Sequence, residues 1–345
     1  MKKNIISISL TLLLFLTFLN QKAYPEDYSS SASILLYHRF GEDKYPSTSL
    51  SIEQLEKHIE ILSKPEYNVM RLENIASAIT RGESLPDKTI AISIDDAFKS
   101  VYTVAWPRLR EANLPFTVFV STETIDNKYT SMMNWDQIKE LHKSGVTIGN
   151  HLSSHESMIH LDSVTWKNKI DFAQKRLTEI LGEEPSLFAY PYGEANIEMK
   201  SFLRERGYAA AFGQHSGVAS EYLDPFFLPR FSFNEKYGGL DRLKLAINAL
   251  PIPIKDIIPK KIIIENNPPF LGFTVIDNTL NLNRLQCFAS RQSKPSIIDI
   301  LPGKRVEIRF QEKFKKGRNR VNCTLPSKNN RWHWLGFQLI SKNSP

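Results

Sequence analysis

Repeatedly along this chain a short apolar run, of the length that forms a buried strand, ends in side chains able to do chemistry. Residues 34–37 lead into His38 and Arg39, residues 89–94 into Asp95 and Asp96, and residues 116–120 into Ser121 and Thr122. The pattern continues with residues 146–149 before Asn150 and His151, residues 187–190 before Pro191, Tyr192 and Gly193, and residues 208–212 before Gly213, Gln214 and His215. A last short run, 226–228, precedes Pro229 and Arg230. Between the runs the spacing predicts helices. One covers 51–63, with Ile52, Leu55, Ile59 and Leu62 behind the cap candidate Ser51. Another runs from the capping pair Asn134 and Gln137 through Lys143. The longest, 162–181, carries Trp166, Ile170, Ala173, Leu177 and Ile180 on one stripe and stops at Gly182. A helix over 99–112 contains Pro107, expected to kink it or to start a new turn. Strands alternating with helices demand a mainly parallel sheet. Polar residues placed behind the strands favour a β/α barrel, which gathers its strand C-terminal ends at one mouth, over an open doubly wound sheet.

At 345 residues the chain has room for one domain of about 200 to 250 residues and a smaller one. The texture changes at Pro251, after which Pro253, Pro259, Pro268 and Pro269 interrupt the chain and no helical stripe is evident. Runs at 270–276, 306–310 and 334–340 predict a small antiparallel β domain over 251–345. Trp332, His333 and Trp334 there either stack on sugar rings or, as is commoner in a small β domain, belong to the core.

The N-terminus sets the compartment. Lys2 and Lys3 precede an apolar run from Ile5 to Leu19, the form of a secretory signal peptide over residues 1–23. About 15 apolar residues are short for a bilayer span, although an uncleaved membrane anchor is the alternative. On either reading the remainder is exported, to the periplasm or beyond. In an oxidising compartment the pair Cys287 and Cys323 is expected to be bridged rather than free. From Pro251 onward 17 Lys or Arg stand against 6 Asp or Glu, whereas the rest of the chain is net acidic. A patch of Lys313, Lys315, Lys316, Arg318 and Arg320 would suit an anionic envelope surface, the alternative being a solvated hairpin. No nucleic-acid partner is expected.

Two adjacent strand-end carboxylates allow division of labour, because neighbours on an extended chain point in different directions: one can hold a cation while the other acts as a base. His151 and His155 are four apart, a spacing that brings two imidazoles to one face of a helical turn. Leu152 follows the first of them where a zinc protease needs Glu, so that reading fails. Two His and an Asp from the strand end would instead leave coordination positions open for water and substrate, as catalytic rather than structural sites do.

Taken together, Ser93-Ile-Asp-Asp-Ala97, His151-Leu-Ser-Ser-His155 and Phe188-Ala-Tyr-Pro-Tyr-Gly193 resemble the first three motifs of the polysaccharide deacetylase (NodB-homology) family, in order. The resemblance covers about residues 33 to 250. Tyr37-His38-Arg39, Ala189-Tyr-Pro and Leu228-Pro-Arg230 are most similar to the branch that deacetylates exported poly-N-acetylglucosamine. The resemblance implies an α/β fold, a distorted (β/α) barrel of the NodB-homology type over 24–250, and a metal-dependent polysaccharide N-deacetylase, usually with zinc. It implies Asp95 as general base, and Asp96, His151 and His155 as ligands of a divalent metal, most often Zn2+. The backbone N–H of Tyr192, beside Pro191, would serve the oxyanion. The partner implied is an N-acetylated polysaccharide.

This chain departs from the family pattern in three places. Ala97 stands where the first motif usually ends in Gly, and Ala189 stands where many members carry an Arg that steadies the base. Arg230 is the candidate substitute. The fifth motif's His, normally the general acid, is missing from residues 243–250; His215 is the first candidate for that role and His38 the second. These departures keep a catalytically inactive glycan-binding protein as the rival reading, and an O-acetyl esterase would use the same site.

Overall fold

The computed structural model describes residues 30–327 and 330–342. The signal-peptide expectation for 1–23 lies outside the described residues. At the centre is the strand Thr89–Asp95, buried at every position, with Ser31–Tyr37 parallel on one side and Phe116–Val120 parallel on the other. Thr147–Asn150, Leu187–Ala189 and Ala210–Phe212 continue the parallel order. Residues 226–228, read from sequence as a strand, make only a single bridge, Leu228 to Phe212. The chain then pairs Phe231–Ser232 with Leu35 and Leu36 of the first strand. This segment closes the sheet into a distorted barrel, so the strand ends face one mouth.

The helices follow their end signals. Ile52–Leu62 begins at a reciprocal Ser51 and Gln54 capping box, and Trp135–Lys143 at the corresponding Asn134 and Gln137 pair. Asp162 caps Ser163–Leu181, which ends where Gly182 turns left-handed. The stretch 99–112 splits into a wide π turn, Val101–Ala105, and an α-helix, Trp106–Glu111, with Pro107 in the first α turn, where its missing N–H costs little. Helices Leu72–Arg81, Ile197–Glu205 and Leu240–Ile247 were legible in principle: Leu72, Ile75, Ala76 and Ile79 are a buried stripe before Gly82.

One buried polar group locks the first strand to its surroundings. The His58 ring takes the Tyr37 hydroxyl on Nδ1 at 2.9 Å and contacts the Gly238 carbonyl through Nε2 at 2.8 Å. A donating Nε2–H leaves Nδ1 to accept, so the ring is satisfied as a neutral imidazole. Burial pushes its pKa down to about 4. Since an unfolded His titrates near ~6.5, the unfolded chain takes up a proton between those values that the folded chain refuses. Stability present above about pH 6.5 is therefore lost as pH falls toward 4, by about 3 kcal/mol at most. In His58→Gln, urea midpoints measured at pH 7 and pH 4.5 should differ by less than in the wild type, by about one proton's worth of slope.

The C-terminal domain is antiparallel β, as expected. One sheet orders Ile254–Ile258, Phe270–Val275, Arg305–Arg309 and Ile297–Leu301; the other orders Gln286–Ala289, Gly317–Pro326 and Trp332–Ser341. Phe273, Val306, Phe314, Val321 and Leu339 fill the space between. Cys287 and Cys323 face one another across Gln286–Ala289 and Gly317–Pro326 and are disulfide-bonded.

The domain is not tethered loosely. Trp334 exchanges two backbone hydrogen bonds with the chain around Leu250 and Val218, and its ring meets Phe231 edge-on at 5.5 Å. Gly336 is required at this seam, because a Cβ there would lie 1.7 Å from the Ser216 carbonyl oxygen. Trp334 and His333 thus serve the domain junction, His333 Nδ1 donating to the Pro251 carbonyl at 2.7 Å, whereas Trp332 remains 40% exposed. Lys313, Lys315 and Lys316 are exposed, but Arg318 and Arg320 turn toward the barrel, so the basic run is only partly a solvated hairpin.

Candidate active site

Asp95 ends its strand, and the backbone then turns left-handed twice, at Asp96 (φ 76°) and Ala97 (φ 58°). Divergence of the two carboxylates therefore comes from this turn and not from extended geometry, as the sequence alone suggested. Gly would adopt the second position freely; here Ala holds it, fully buried.

Asp95 points inward to Arg230. Both residues are fully buried, and the guanidinium meets the carboxylate with two 2.7 Å hydrogen bonds. The remaining Arg230 donors reach the Gly213 carbonyl at 2.9 Å and the Ser93 hydroxyl at 3.2 Å. Burial by itself would raise the Asp95 carboxyl, but Arg230, followed by His151, outweighs it and holds it below the usual carboxylate range. Arg230, delivered from the segment that closes the barrel, thus holds Asp95 where Ala189 offers no charge.

Asp96 points the other way. Its Oδ1 lies 3.3 Å from His151 Nε2 and 3.1 Å from His155 Nε2. The His151 Nδ1–H donates to the Ala189 carbonyl at 2.7 Å, which leaves the Nε2 lone pair facing Asp96. Neither Asp96 Oδ1 nor His151 Nε2, both buried, has a hydrogen-bond partner among the described residues. Donors about 2.1 Å from a tetrahedral ion stand about 3.4 Å apart, so these orphaned atoms fit a shared cation better than a shared proton. The two histidines are not on a helical turn, contrary to the spacing argument. They flank a loop in which Leu152 turns left-handed (φ 70°) and its N–H is held by the Asn150 side chain at 2.8 Å. Burial pushes the His155 pKa down, keeping it available as a neutral ligand.

Pro191 is buried and opens a tight turn in which Tyr192 is left-handed (φ 59°). The Tyr192 ring packs on His155, centroids 4.6 Å apart. Gly193 has no alternative, because a Cβ there would lie 2.3 Å from the Gln214 nitrogen. His38 is half-buried and directly follows the strand Ser31–Tyr37, whose parallel neighbour is the strand that ends in Asp95.

His215 is buried, and its backbone carbonyl accepts from the Arg230 N–H at 2.9 Å. It stacks on Phe227 at 4.9 Å, its Nδ1 is buried without a hydrogen bond, and burial, with Arg320 and Arg230 nearby, pushes its pKa down to about 3. A ring held neutral in this way has no proton to give at neutral pH. Sequence reasoning passed over Glu194, which is buried and accepts a hydrogen bond from Ser157 on the histidine loop. Nothing in local spacing marks it.

A barrel mouth that joins a guanidinium-held aspartate to an Asp-His-His donor set is the constellation of a hydrolase with the NodB-type fold. Residues 82–211 match the family model for polysaccharide deacetylase. A poly-β-1,6-N-acetyl-D-glucosamine N-deacetylase of Staphylococcus aureus is 22% identical over 202 residues, which is 54% of this chain and 68% of that protein. Among solved structures, the Streptococcus pyogenes deacetylase PplD superposes with a TM-score of 0.59 at 18% identity, covering 63% of this chain and 98% of that one. IcaB from Ammonifex degensii gives 0.56 at 23% identity, covering 64% and 97%. Both show the barrel fold. The matched segment contains Asp95, Asp96, His151, His155 and Tyr192, while His38, His215 and Arg230 lie beyond it.

Proposed function

We propose that this protein is an exported hydrolase that removes N-acetyl groups from N-acetylglucosamine-containing polysaccharide. The observation that carries the reading is the divergence of Asp95 and Asp96 into two environments, one fit for a base and one for a ligand. The polymer named for the Staphylococcus aureus relative is the first substrate to test. A divalent cation, zinc by its fit to a His, His and Asp set, would be held by Asp96, His151 and His155 and would polarise the acetamide carbonyl and acidify water. Asp95 takes the proton from the attacking water, and Arg230 keeps that carboxylate ionised and fixed in direction. As water oxygen bonds to the carbonyl carbon, the Tyr192 N–H meets the developing oxyanion. The C–N bond then breaks, acetate leaves, and the amine receives its proton from His38, at the end of the strand beside that of Asp95, in preference to His215, which burial holds neutral.

The Arg230–Asp95 pair and the left-handed turn at Ala97 support this reading over an inactive binder, and His38 is the donor assigned in place of the missing fifth-motif His. Residues 1–23 support export, and the exposed Lys313, Lys315 and Lys316 support contact with an anionic envelope surface. Vesicles with and without anionic lipid would test that contact by cosedimentation.

Acetate release from β-1,6-linked N-acetylglucosamine oligomers is the deciding assay. A chelator should lower it by about two orders of magnitude or more, and added zinc should restore it. His155→Ala should lower the bound metal well below the wild-type content and abolish the restoration. Acetate release that survives full removal of metal would overturn the reading, as would release only from O-acetylated glycans.

A further inference from the structure

The turn that presents Tyr192 is held by the other domain. Arg318, on Gly317–Pro326, donates through Nη1 to the Tyr192 carbonyl at 3.2 Å, and its guanidinium lies 5.1 Å from the Tyr192 ring centroid. Gln338, on Trp332–Ser341, is buried and donates through Nε2 to the Gly193 carbonyl at 2.6 Å, with the Tyr192 carbonyl 3.4 Å away. Arg318 Nε also lies 3.6 Å from Glu194, whose other oxygen receives Ser157 from the loop of His151 and His155. One guanidinium therefore touches the Tyr192 turn and, through Glu194, the histidine loop.

We propose that the C-terminal β domain is a working part of the active site, with Arg318 and Gln338 as positioning residues for the Tyr192 turn. The proposal rests on the reading of the Tyr192 N–H as the oxyanion donor. An L-residue at φ 59° is held there against its preference, and the turn stays only if its peptide planes are fixed from outside. Gln338 fixes the plane after Gly193, and Arg318 fixes the plane after Tyr192, which the Gly193 N–H also ties to the Tyr190 carbonyl at 2.8 Å. Pro191, with its φ locked by its ring, leaves the plane that carries the Tyr192 N–H little freedom. The ring order His155, Tyr192, Arg318 then extends from a candidate metal ligand to the β domain.

The test uses the full-length, zinc-loaded protein with Arg318→Met and Gln338→Met, which keep bulk and remove the donors. Arg309→Met, which removes an exposed β-domain charge paired with Asp299, is the control. On N-acetylglucosamine oligomers, kcat should fall by about 10- to 100-fold in the first two, part of what losing an oxyanion donor costs, with KM within about twofold. Zinc content and melting temperature should match the wild type, and amide exchange across residues 190–196 should quicken. The control should match the wild type throughout. Unchanged kcat with unchanged exchange would overturn the proposal, and so would a raised KM with intact kcat, which makes Arg318 a substrate contact instead. If the wild type releases no acetate, the deacetylase reading fails, and the exchange measurement decides separately whether the β domain holds the turn.

Discussion

Asp95→Asn is expected to lower kcat for acetate release by about 10²- to 10⁴-fold while the protein keeps its full complement of zinc. The amide has the shape of the carboxylate but cannot accept the proton that the attacking water must lose. Asp96, His151 and His155, the atoms that converge within 4.8 Å, are untouched by the change. Zinc content measured on the purified variant therefore separates the two aspartates: Asp96→Asn should lose metal and activity together, Asp95→Asn activity alone. The exchange also turns an amide N–H₂ toward a guanidinium that had two 2.7 Å bonds, so part of the buried pairing is lost. Some loss of stability is expected, and circular dichroism at the assay temperature must show the variant folded. Retained activity, or loss of zinc, would show that the division of labour is misassigned.

Arg230→Met should have the largest effect on stability, a loss of about 3 to 5 kcal/mol at pH 7, read from urea midpoints. The mutation leaves the Asp95 carboxylate fully buried without its bidentate partner. In the wild type the Asp95 pKa is depressed. The pair's contribution is therefore complete above the unfolded value of about 4 and is lost as pH falls through the folded value. In the variant, burial acts without its main opponent and the pKa moves upward, so the sign reverses: stability relative to wild type recovers as acid protonates the carboxyl. The gap should thus be widest at neutral pH and narrow toward pH 4. The acid limb of the activity profile should move to higher pH, since the base must be ionised. Adding Asp95→Asn to Arg230→Met should restore part of the lost stability by removing the orphaned charge, and failure of that recovery would mean the pair is not the cause.

Much of this was legible in the chain because its signals are local. Strand runs and helix caps act over a few residues, so Ser51, Asn134 with Gln137, and Gly182 mark their helix ends in the sequence itself. The motif residues Asp95, Asp96, His151 and His155 announced a site for the same reason. Spacing alone misplaces the two histidines: His151 and His155 do meet on Asp96, yet across a loop turned by Leu152 and not on a helix. Residues 226–228 looked like a strand because apolar runs favour one, but the segment that pairs with the first strand is 231–232, and a run cannot name its partner.

The amino-acid sequence by itself determined the alternation of strands and helices, the change to a β domain after Pro251, and the identity of the groups able to bind metal and move protons. Only the tertiary structure decided which of them meet. Arg230 reaches Asp95 from 135 residues away, Gln338 reaches Gly193 from 145, and His215, equally well placed behind a strand, turns to Phe227 and is held neutral. The reason is physical. Propensity and capping are set by neighbours along the chain, whereas ion pairing, burial and the pKa they set depend on what closure of the barrel and docking of the second domain bring within a few ångströms.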